Sequence, residues 1–360
     1  MVTISPVLSP RPAQWRRASL AACSALLLVI GACPSAVQAQ SNGEPTGTPH
    51  GAGSTFVQPL LTAWAAVYKE EASTDVEYRG VGSAQGLTEL HLGALDFGAV
   101  DQPLSAAELA QGKLSQFPVA VGAVIPVVNI AGVKSGDLHF SGPLLADIFA
   151  GKITKWNDPA IVAMNPNVAL PKAPIVIIYR ADSSGTTYNF THYLSQVSPS
   201  WKKHFGEGQT IKWPGGIAAV GNGSVAESMT KFTNSIGYTE YAYVLTHDLA
   251  YACLQDSGGH IICPSAETFA NAVEKTAWSG AGDFDMAVIN TPTARSYPIM
   301  ATTFIVMPKD AKDKTRSDAA LKFFLYGLER GQEEAKALNY VPLPALLVSQ
   351  IKDFINAKMK

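Results

Sequence analysis

The chain has few of the parts that mark common enzyme classes. It contains only seven histidines, at 50, 91, 139, 192, 204, 247 and 260, in no ligand-like spacing. His91 and His192 fall in helical segments, where a surface or hydrogen-bonded core residue is the simplest reading. Neither a G-x-S-x-G elbow nor an H-E-x-x-H pair occurs, so the usual serine and zinc hydrolases lack their signatures. Positive charge is also short, with 27 basic against 29 acidic residues. A nucleic-acid partner would demand the basic footprint that is missing here. The apolar stretch "ASLAACSALLLVIGA" runs to about fifteen residues, too short to span a bilayer comfortably.

That stretch reads instead as an export leader. Arg11, Arg16 and Arg17 precede it, Pro34 breaks it, and "VQA" ending at Ala39 suits a small-residue cleavage site. A buried core helix is the alternative, but the basic front and the polar "QSNGEPTGTP" behind it argue against one. "IGAC" ending at Cys33 is also a passable lipoprotein box, so a lipid-bearing chain beginning at Cys33 competes with a soluble one beginning at Gln40; the tail spacing favours the soluble form. The paired arginines at 16–17 hint at the twin-arginine route, although most such pairs are ordinary basic leaders. Without residues 1–39 the chain keeps 321 residues, more than one core usually covers, and its net charge falls from −2 to −5 because the three arginines go. An anionic ligand would therefore have to be attracted by a local site.

Two cysteines remain after such cleavage, Cys253 and Cys263, flanking "LQDSGGHII". A Gly-Gly turn between apolar ends suits a hairpin, and an oxidising compartment would join the pair. Two free thiols or half of a metal site are the alternatives, and the second lacks further ligands.

From residue 51 onward helical and extended patterns alternate. "VQPLLTAWAAVY" places apolar residues at 57, 60, 61, 64 and 68, one face of a helix. "TDVEYRG" and "DFGAV" read as strands around the helix "SAQGLTELHLGAL". "PVAVGAVIPVVNI" is apolar throughout and long for one strand in one sheet. "LLADIFAGKITKW" reads as helix, while "PIVIIY", "SIGYTEYAYV" and "MATTFIVM" read as strands. The chain closes on helices that include "DAALKFFLYGLERGQEEAKAL". The alternation implies an α/β architecture with covered sheets, and no internal repeat or low-complexity linker interrupts it.

Hydroxyl-rich junctions carry the chemistry. "RADSSGTT", 180–187, leaves a buried strand and enters a helix, whose first N–H groups and dipole favour an anion. Arg180 adds a charged fork suited to a tetrahedral oxyanion. Taken alone, "SSGTT" is as readily a capping turn. "GAGSTF", 51–56, repeats the pattern with Thr55 at the expected cap position, and "RGVGSAQG", 79–86, does so with Ser83. The second misses the dinucleotide fingerprint by one residue. "DFGAVD", 96–101, shares three letters with a kinase magnesium motif but none of its companions. Asp101 is an odd neighbour for an anion unless the ligand carries a proton: a buried carboxylate accepts from P–OH and repels a fully ionised oxyanion. A turn or helix cap for "DQPLSAAEL" is the competing reading.

These pieces in this order resemble the periplasmic phosphate-binding proteins of bacterial phosphate ABC transporters. The resemblance runs over about residues 50–350 through "GAGSTF", "GVGSAQG", "DFGAVD", "FPVAVGAV", "IFAGKITKWND", "RADSSGTT", "SIGYTEYAY" and "TTFIVMP". It implies an α/β, type II-like periplasmic binding protein of two lobes, residues 48–124 with 299–360 and residues 125–298, joined by crossing strands around a cleft. Its implied function is high-affinity binding of phosphate and delivery to the permease and ATPase of an importer, by a non-enzymatic periplasmic monomer without cofactor or metal. Carried over by motif, Thr55 and the backbone N–H of Phe56 would bind phosphate, and Ser83 would donate from the second loop. Asp101 would accept the phosphate proton. Arg180 would pair with the ligand and with Asp182, while Ser184, Gly185 and Thr186 would donate from the other lobe. Family members often have glycine at Ser183, proline at Val57 and a small residue at Val100; none of these differences removes a donor, although Val100 could reshape the wall behind Asp101. The Cys253–Cys263 pair is not a general family feature and points to a structural role. A phosphatase is the main rival and lacks an activated nucleophile in the sequence. A binder of another oxyanion such as sulfate, or a scaffold with a vestigial cleft, are the others.

Overall fold

The computed structural model describes residues 47–274, 276, 284 and 295–359. The expected leader 1–39, with Ala39 and Cys33, lies outside the described residues, as does part of the 125–298 segment. Among the described residues no helix is long and apolar enough to cross a membrane.

The chain begins with β1 (His50–Gly53), α1 (Gln58–Ala72), β2 (Glu77–Gly80), α2 (Ser83–His91) and β3 (Phe97–Val100). A short α3 (Ala106–Gly112) leads into the long β4 (Leu114–Asn129). There follow β5 (His139–Phe140), α4 (Gly142–Phe149), α5 (Pro159–Met164), β6 (Val176–Arg180), α6 (Gly185–Val197) and α7 (Pro199–His204). Next come β7 (Ile217–Ala219), α8 (Gly221–Lys231), β8 (Ser235–Glu240) and α9 (Tyr241–Thr246). The strands β9 (Ala250–Tyr251), β10 (Cys253–Gln255) and β11 (Ile261–Ile262) precede α10 (Ala266–Glu274). Finally β12 (Met300–Pro308) is followed by α11 (Lys314–Glu329), α12 (Gln332–Ala337) and α13 (Ala345–Lys358).

One sheet runs β2-β1-β3-β12-β4-β8-β6-β7, with β9 also on β4, and a small sheet runs β11-β10-β5. The apolar run read as too long for one strand in one sheet is a single strand that changes partner. β4 pairs with β12 from Leu114 to Ala123 and with β8 from Val124 to Asn129. All but its last residue are buried, which explains the missing polar alternation. Its register against β12 slips between Thr303 and Phe304, where Pro118 faces Phe304. Proline has no N–H to give a ladder, so the irregularity falls where pairing is weakest.

Three stretches depart from the sequence pattern. Helix α4 stops at Phe149, because Gly151 turns to φ +70° and the N–H groups of Lys152 and Ile153 both fold back onto the Asp147 carbonyl; "GKITKW" is therefore a loop. The strand expected through "SIGYTEYAYV" ends at Glu240, whose carboxylate accepts the Ala242 N–H at 2.8 Å and starts α9. The C-terminal helical run is two helices, broken at Arg330–Gly331, where Trp64 Nε1 of α1 donates to the Gly331 carbonyl at 2.6 Å.

Behind β6, Phe190 stacks on Tyr238 with centroids 4.3 Å apart, and Phe149 meets Phe190 edge-on at 4.8 Å. The buried Tyr238 hydroxyl bonds Thr187 Oγ1 at 2.7 Å and accepts the Arg180 N–H at 3.3 Å. Apolar packing thereby fixes the end of β6 and the first turn of α6 together.

Cys253 and Cys263 form a disulfide across the β10–β11 hairpin, which β10 docks on β5. Replacing both by serine should lower unfolding free energy by about 2–3 kcal/mol on the loop-entropy account. Denaturant curves of the variant and the wild type check this; coincident midpoints would leave the bridge without a stabilising role.

Candidate anion-binding site

Four strand-to-helix junctions meet in one place. β1 delivers Ser54, Thr55 and Phe56, β2 delivers Gly82 and Ser83, β6 delivers Arg180 to Thr186, and β7 delivers Gly221 and Asn222. Asp101 follows β3 directly. In an open α/β sheet the carboxyl ends of the strands are where ligands sit.

Each junction has its own local logic. Ser184 is the N-cap of α6 and its Oγ accepts the Thr187 N–H at 3.2 Å, as the capping pattern leads one to expect. The first intrahelical bond is Tyr188 N–H to the Ser184 carbonyl, which leaves Gly185 and Thr186 among the helix's orphan donors. Gly185 has to be glycine for a steric reason. A Cβ there would lie 2.6 Å from Asp101 Oδ2 and 2.8 Å from Ser83 Oγ. These two side chains therefore press against the N-terminus of α6. Gly82 has φ +93°, and a Cβ on it would come within 2.7 Å of Asp182 Oδ2.

One capping expectation, that for Thr55, needs correction. Thr55 is not the cap of α1; Val57 holds that place without a side-chain bond, because Gln58 and Pro59 open the helix and keep Thr55 in the preceding turn. Ser83 is the first residue of α2, behind Gly82 as N-cap. Neither hydroxyl is therefore used in capping. Ser83 Oγ is buried without a hydrogen bond among the described residues. Phe56 sets its ring in the core against Tyr340, and its N–H donates to Ser54 Oγ at 3.0 Å.

Arg180 is only 4 % exposed. Its Nε donates to Asp182 Oδ1 at 2.7 Å, Nη2 pairs with Asp182 Oδ2, and Nη1 reaches Thr186 Oγ1 at 3.4 Å. Asp182 also accepts the Gly221 N–H at 3.0 Å. Burial pushes the Asp182 carboxyl up, but the bonds and charge of Arg180 outweigh it and hold the group below the usual carboxylate range. The pair is ionised and aimed.

Asn222 is the link that the sequence reading missed. Its backbone N–H and Nδ2 donate to Thr55 Oγ1 at 3.1 and 3.0 Å, and Nδ2 also reaches Thr186 Oγ1 at 3.1 Å. Thr239 Oγ1 donates to Asn222 Oδ1 at 3.3 Å, which fixes the amide orientation. A hydroxyl has two acceptor lone pairs and one proton. Thr55 Oγ1 accepts twice from Asn222, and Thr186 Oγ1 accepts from Arg180 and Asn222. Each is left with a proton to give. The cluster is thus a set of donors, and Asp101 is its fully buried acceptor.

Ser54 and Thr303 were also missed, although both stand inside quoted motifs; they bond Asp101 at 2.5 and 2.7 Å. "VGNGS" at 220–224 repeats the small-residue junction pattern and could have pointed to Asn222. Tyr243 donates to the Thr55 carbonyl at 2.9 Å and Tyr78 to the Ser54 carbonyl at 2.8 Å, so two tyrosines pin the first loop from both sides. A groove of about 300 Å³ lies beside the cluster, lined by Thr55, Gly80, Asp182, Gly221 and Tyr243 among others. Among the described residues no group of three His, Cys, Asp or Glu side chains is placed to hold a metal ion.

Known proteins similar to this chain in sequence or fold are numerous. The family description "PBP superfamily domain" matches residues 39–328. The phosphate-binding protein PstS of Xylella fastidiosa is 44% identical over 310 residues, covering 86% of this chain and 85% of the relative. The phosphate-binding protein PstS of Haemophilus influenzae is 41% identical over 310 residues, covering 86% and 93%. Among solved structures, a phosphate-binding protein from Stenotrophomonas maltophilia superposes with a TM-score of 0.62 at 19% identity, over 85% of this chain and 93% of that one. At that identity the superposition speaks for the fold alone.

Proposed function

The chain belongs to the PBP superfamily and, within it, to the phosphate-binding proteins, and from this membership we propose that it binds inorganic phosphate in the periplasm for uptake by an ABC importer. It is a binding protein and not an enzyme. The observation that supports the reading is the composition of the cluster, one buried acceptor, Asp101, among hydroxyl, amide and guanidinium donors; in this reading Thr55, Ser83, Arg180, the Ser184 hydroxyl, Gly185 and Thr186 would donate to the ligand. A monoprotonated phosphate has the complementary pattern, with several oxygens to accept and one hydroxyl to give. The Phe56 N–H completes the set if the ligand shares it with Ser54. Asp182 supports the site through Arg180.

In this reading residues 48–124 with 299–360 form one lobe and 125–298 the other. The change of partner along β4 between Ala123 and Val124, and the packing of the C-terminal helices on α1, support that division. Contacts such as Asn222 to Thr55 cross the proposed boundary and would close the lobes over the ligand. The permease and ATPase of the importer are the proposed partners, and the protein would work as a monomer.

Titration calorimetry of the purified protein should give one phosphate per chain with no metal requirement, and X-ray scattering should show a smaller radius of gyration with phosphate. Steady hydrolysis of a phosphomonoester, or no heat with phosphate, would overturn the reading.

A further inference from the structure

Asp101 is held by two hydroxyls before any ligand is considered. Ser54 Oγ donates to Oδ2 at 2.5 Å, and Thr303 Oγ1 donates to Oδ1 at 2.7 Å. Each carboxylate oxygen therefore has one lone pair occupied and one left over. The three residues come from adjacent strands: Ser54 follows β1, Asp101 follows β3, and Thr303 lies on β12, next to β3. The trio consequently belongs to one continuous piece of sheet and does not depend on α6 or α8 closing over it. Ser54 also accepts the Phe56 N–H at 3.0 Å. That amide can only donate, so with Asp101 ionised the serine passes its proton on to the carboxylate and the chain runs from Phe56 through Ser54 to Asp101.

We propose that Ser54, together with Thr303, is a specificity-determining positioning residue: the two hydroxyls keep Asp101 an ionised acceptor whose remaining lone pairs face the anion. This deepens, and rests on, the phosphate-binding reading above. A buried carboxylate without such donors would take up a proton and become a donor itself, and its power to tell a protonated oxyanion from an unprotonated one would go. Burial does push the Asp101 carboxyl up, to about 6, against the pull of Ser54, Thr303 and Arg180. The charged and titratable groups facing it are Arg180 at the end of β6, Tyr78 on β2 and Tyr340 beyond α12. Both tyrosines are held neutral by burial far into the alkaline range. From α6 it meets the neutral Gly185 and Asn189, whose Nδ2 donates to the Asp101 carbonyl at 2.8 Å. Arg180 is already committed to Asp182, so the two hydroxyls are the adjustable part of the balance.

The test is a carboxyl-carbon NMR titration of Asp101 in the ligand-free protein, assigned with Asp101→Asn, in wild type and in Ser54→Ala, Thr303→Val and Thr303→Ser. Losing one hydrogen bond to a charged group should raise the Asp101 midpoint by about one pH unit in Ser54→Ala and in Thr303→Val. Thr303→Ser, which restores the hydroxyl, should return it. The pH at which the phosphate-to-sulfate affinity ratio collapses should move by the same amount. A midpoint unchanged in Ser54→Ala and in Thr303→Val, with phosphate affinity lowered equally at every pH, would make these residues structural only and overturn the proposal. If Ser54→Ala does not fold, the two Thr303 variants decide. Should the wild type fail to bind phosphate, the functional reading falls, while the titration still decides the role of the two hydroxyls.

Discussion

Arg180→Ala should weaken phosphate binding by about 3–5 kcal/mol, since it removes one partner of a buried charged pair. At 1.4 kcal/mol per tenfold that is roughly two to three and a half orders of magnitude in Kd. The size follows from what the residue holds. The guanidinium is 4 % exposed and spends two of its nitrogens on Asp182, leaving Nη1 toward Thr186. Without it Asp182 keeps the Gly221 N–H but loses its countercharge, and a bare carboxylate then stands beside the anion's place. Arg180→Lys keeps the charge but cannot hold Asp182 with a fork and reach Thr186 together, so it should recover only part of the loss. Ser83→Ala is the control, with an expected cost of about 1–3 kcal/mol for one hydrogen bond to a charged ligand. Calorimetric dissociation constants for the three variants give the ranking. Equal values for Arg180→Ala and Ser83→Ala would mean that Arg180 does not face the ligand.

Asp101→Asn should change which oxyanion is accepted more than how tightly phosphate is held. Phosphate near neutral pH keeps a proton and can donate to the carboxylate, whereas sulfate would set acceptor against acceptor and charge against charge. A site built around a hydrogen bond rejects an analogue lacking it by about 10⁴-fold. The amide of asparagine can donate, and the Ser54 and Thr303 hydroxyls can rotate to suit it, so sulfate gains and the ratio should narrow by at least roughly a hundredfold. The pH dependence has a definite sign. Asp101 accepts when ionised, so selectivity in the wild type is fullest above about 6 and is lost as pH falls through that value. Stability runs the other way. The folded protein holds the Asp101 proton to about 6 while the unfolded chain releases it near 3.8, so the group's contribution is full below 3.8 and declines as pH rises between the two. Asp101→Asn should therefore be more heat-stable than wild type at pH 8 and less discriminating. A phosphate-to-sulfate ratio unchanged in the variant would move selectivity elsewhere in the cluster.

The strands and helices that position the site could be read from local pattern because burial and period agreed there. "VQPLLTAWAAVY" shows one apolar face and forms α1, and "DFGAV" is buried throughout as β3. Legibility failed where a polar side chain, and not hydrophobic period, decides the backbone. At Glu240 a carboxylate caps a helix inside an apolar, aromatic run that otherwise reads as strand, and burial leaves that carboxyl raised to about 8. The candidate site divides in the same way. Arg180 with Asp182, and Ser184 with Thr187, interact over a few residues of one loop, so a single motif holds them all; Arg180 is legible from its chemistry, Asp182 and Ser184 from the family resemblance. Asn222 reaches Thr55 across 167 positions and Thr303 reaches Asp101 across 202. Such partners are set by which strands lie side by side, and that order is not written in any one segment.

The place of β12 also sets the order in which the molecule can be assembled. It lies between β3 and β4 in the sheet, yet nearly two hundred residues separate its first residue, Met300, from the pairing partners on either side. During synthesis β3 and the first part of β4 therefore stand as unfilled edges until almost the whole chain has emerged. Contacts of such long sequence separation make folding slow, because loop closure is paid before the strand is rewarded. The hydrophobic stretch Met300–Pro308 fills the gap between β3 and β4 late, with α11, α12 and α13 still to follow it. Until that strand is in place, the half of the sheet that carries Ser54 and Asp101 has no link to β4, so a central strand supplied late delays completion of the whole sheet.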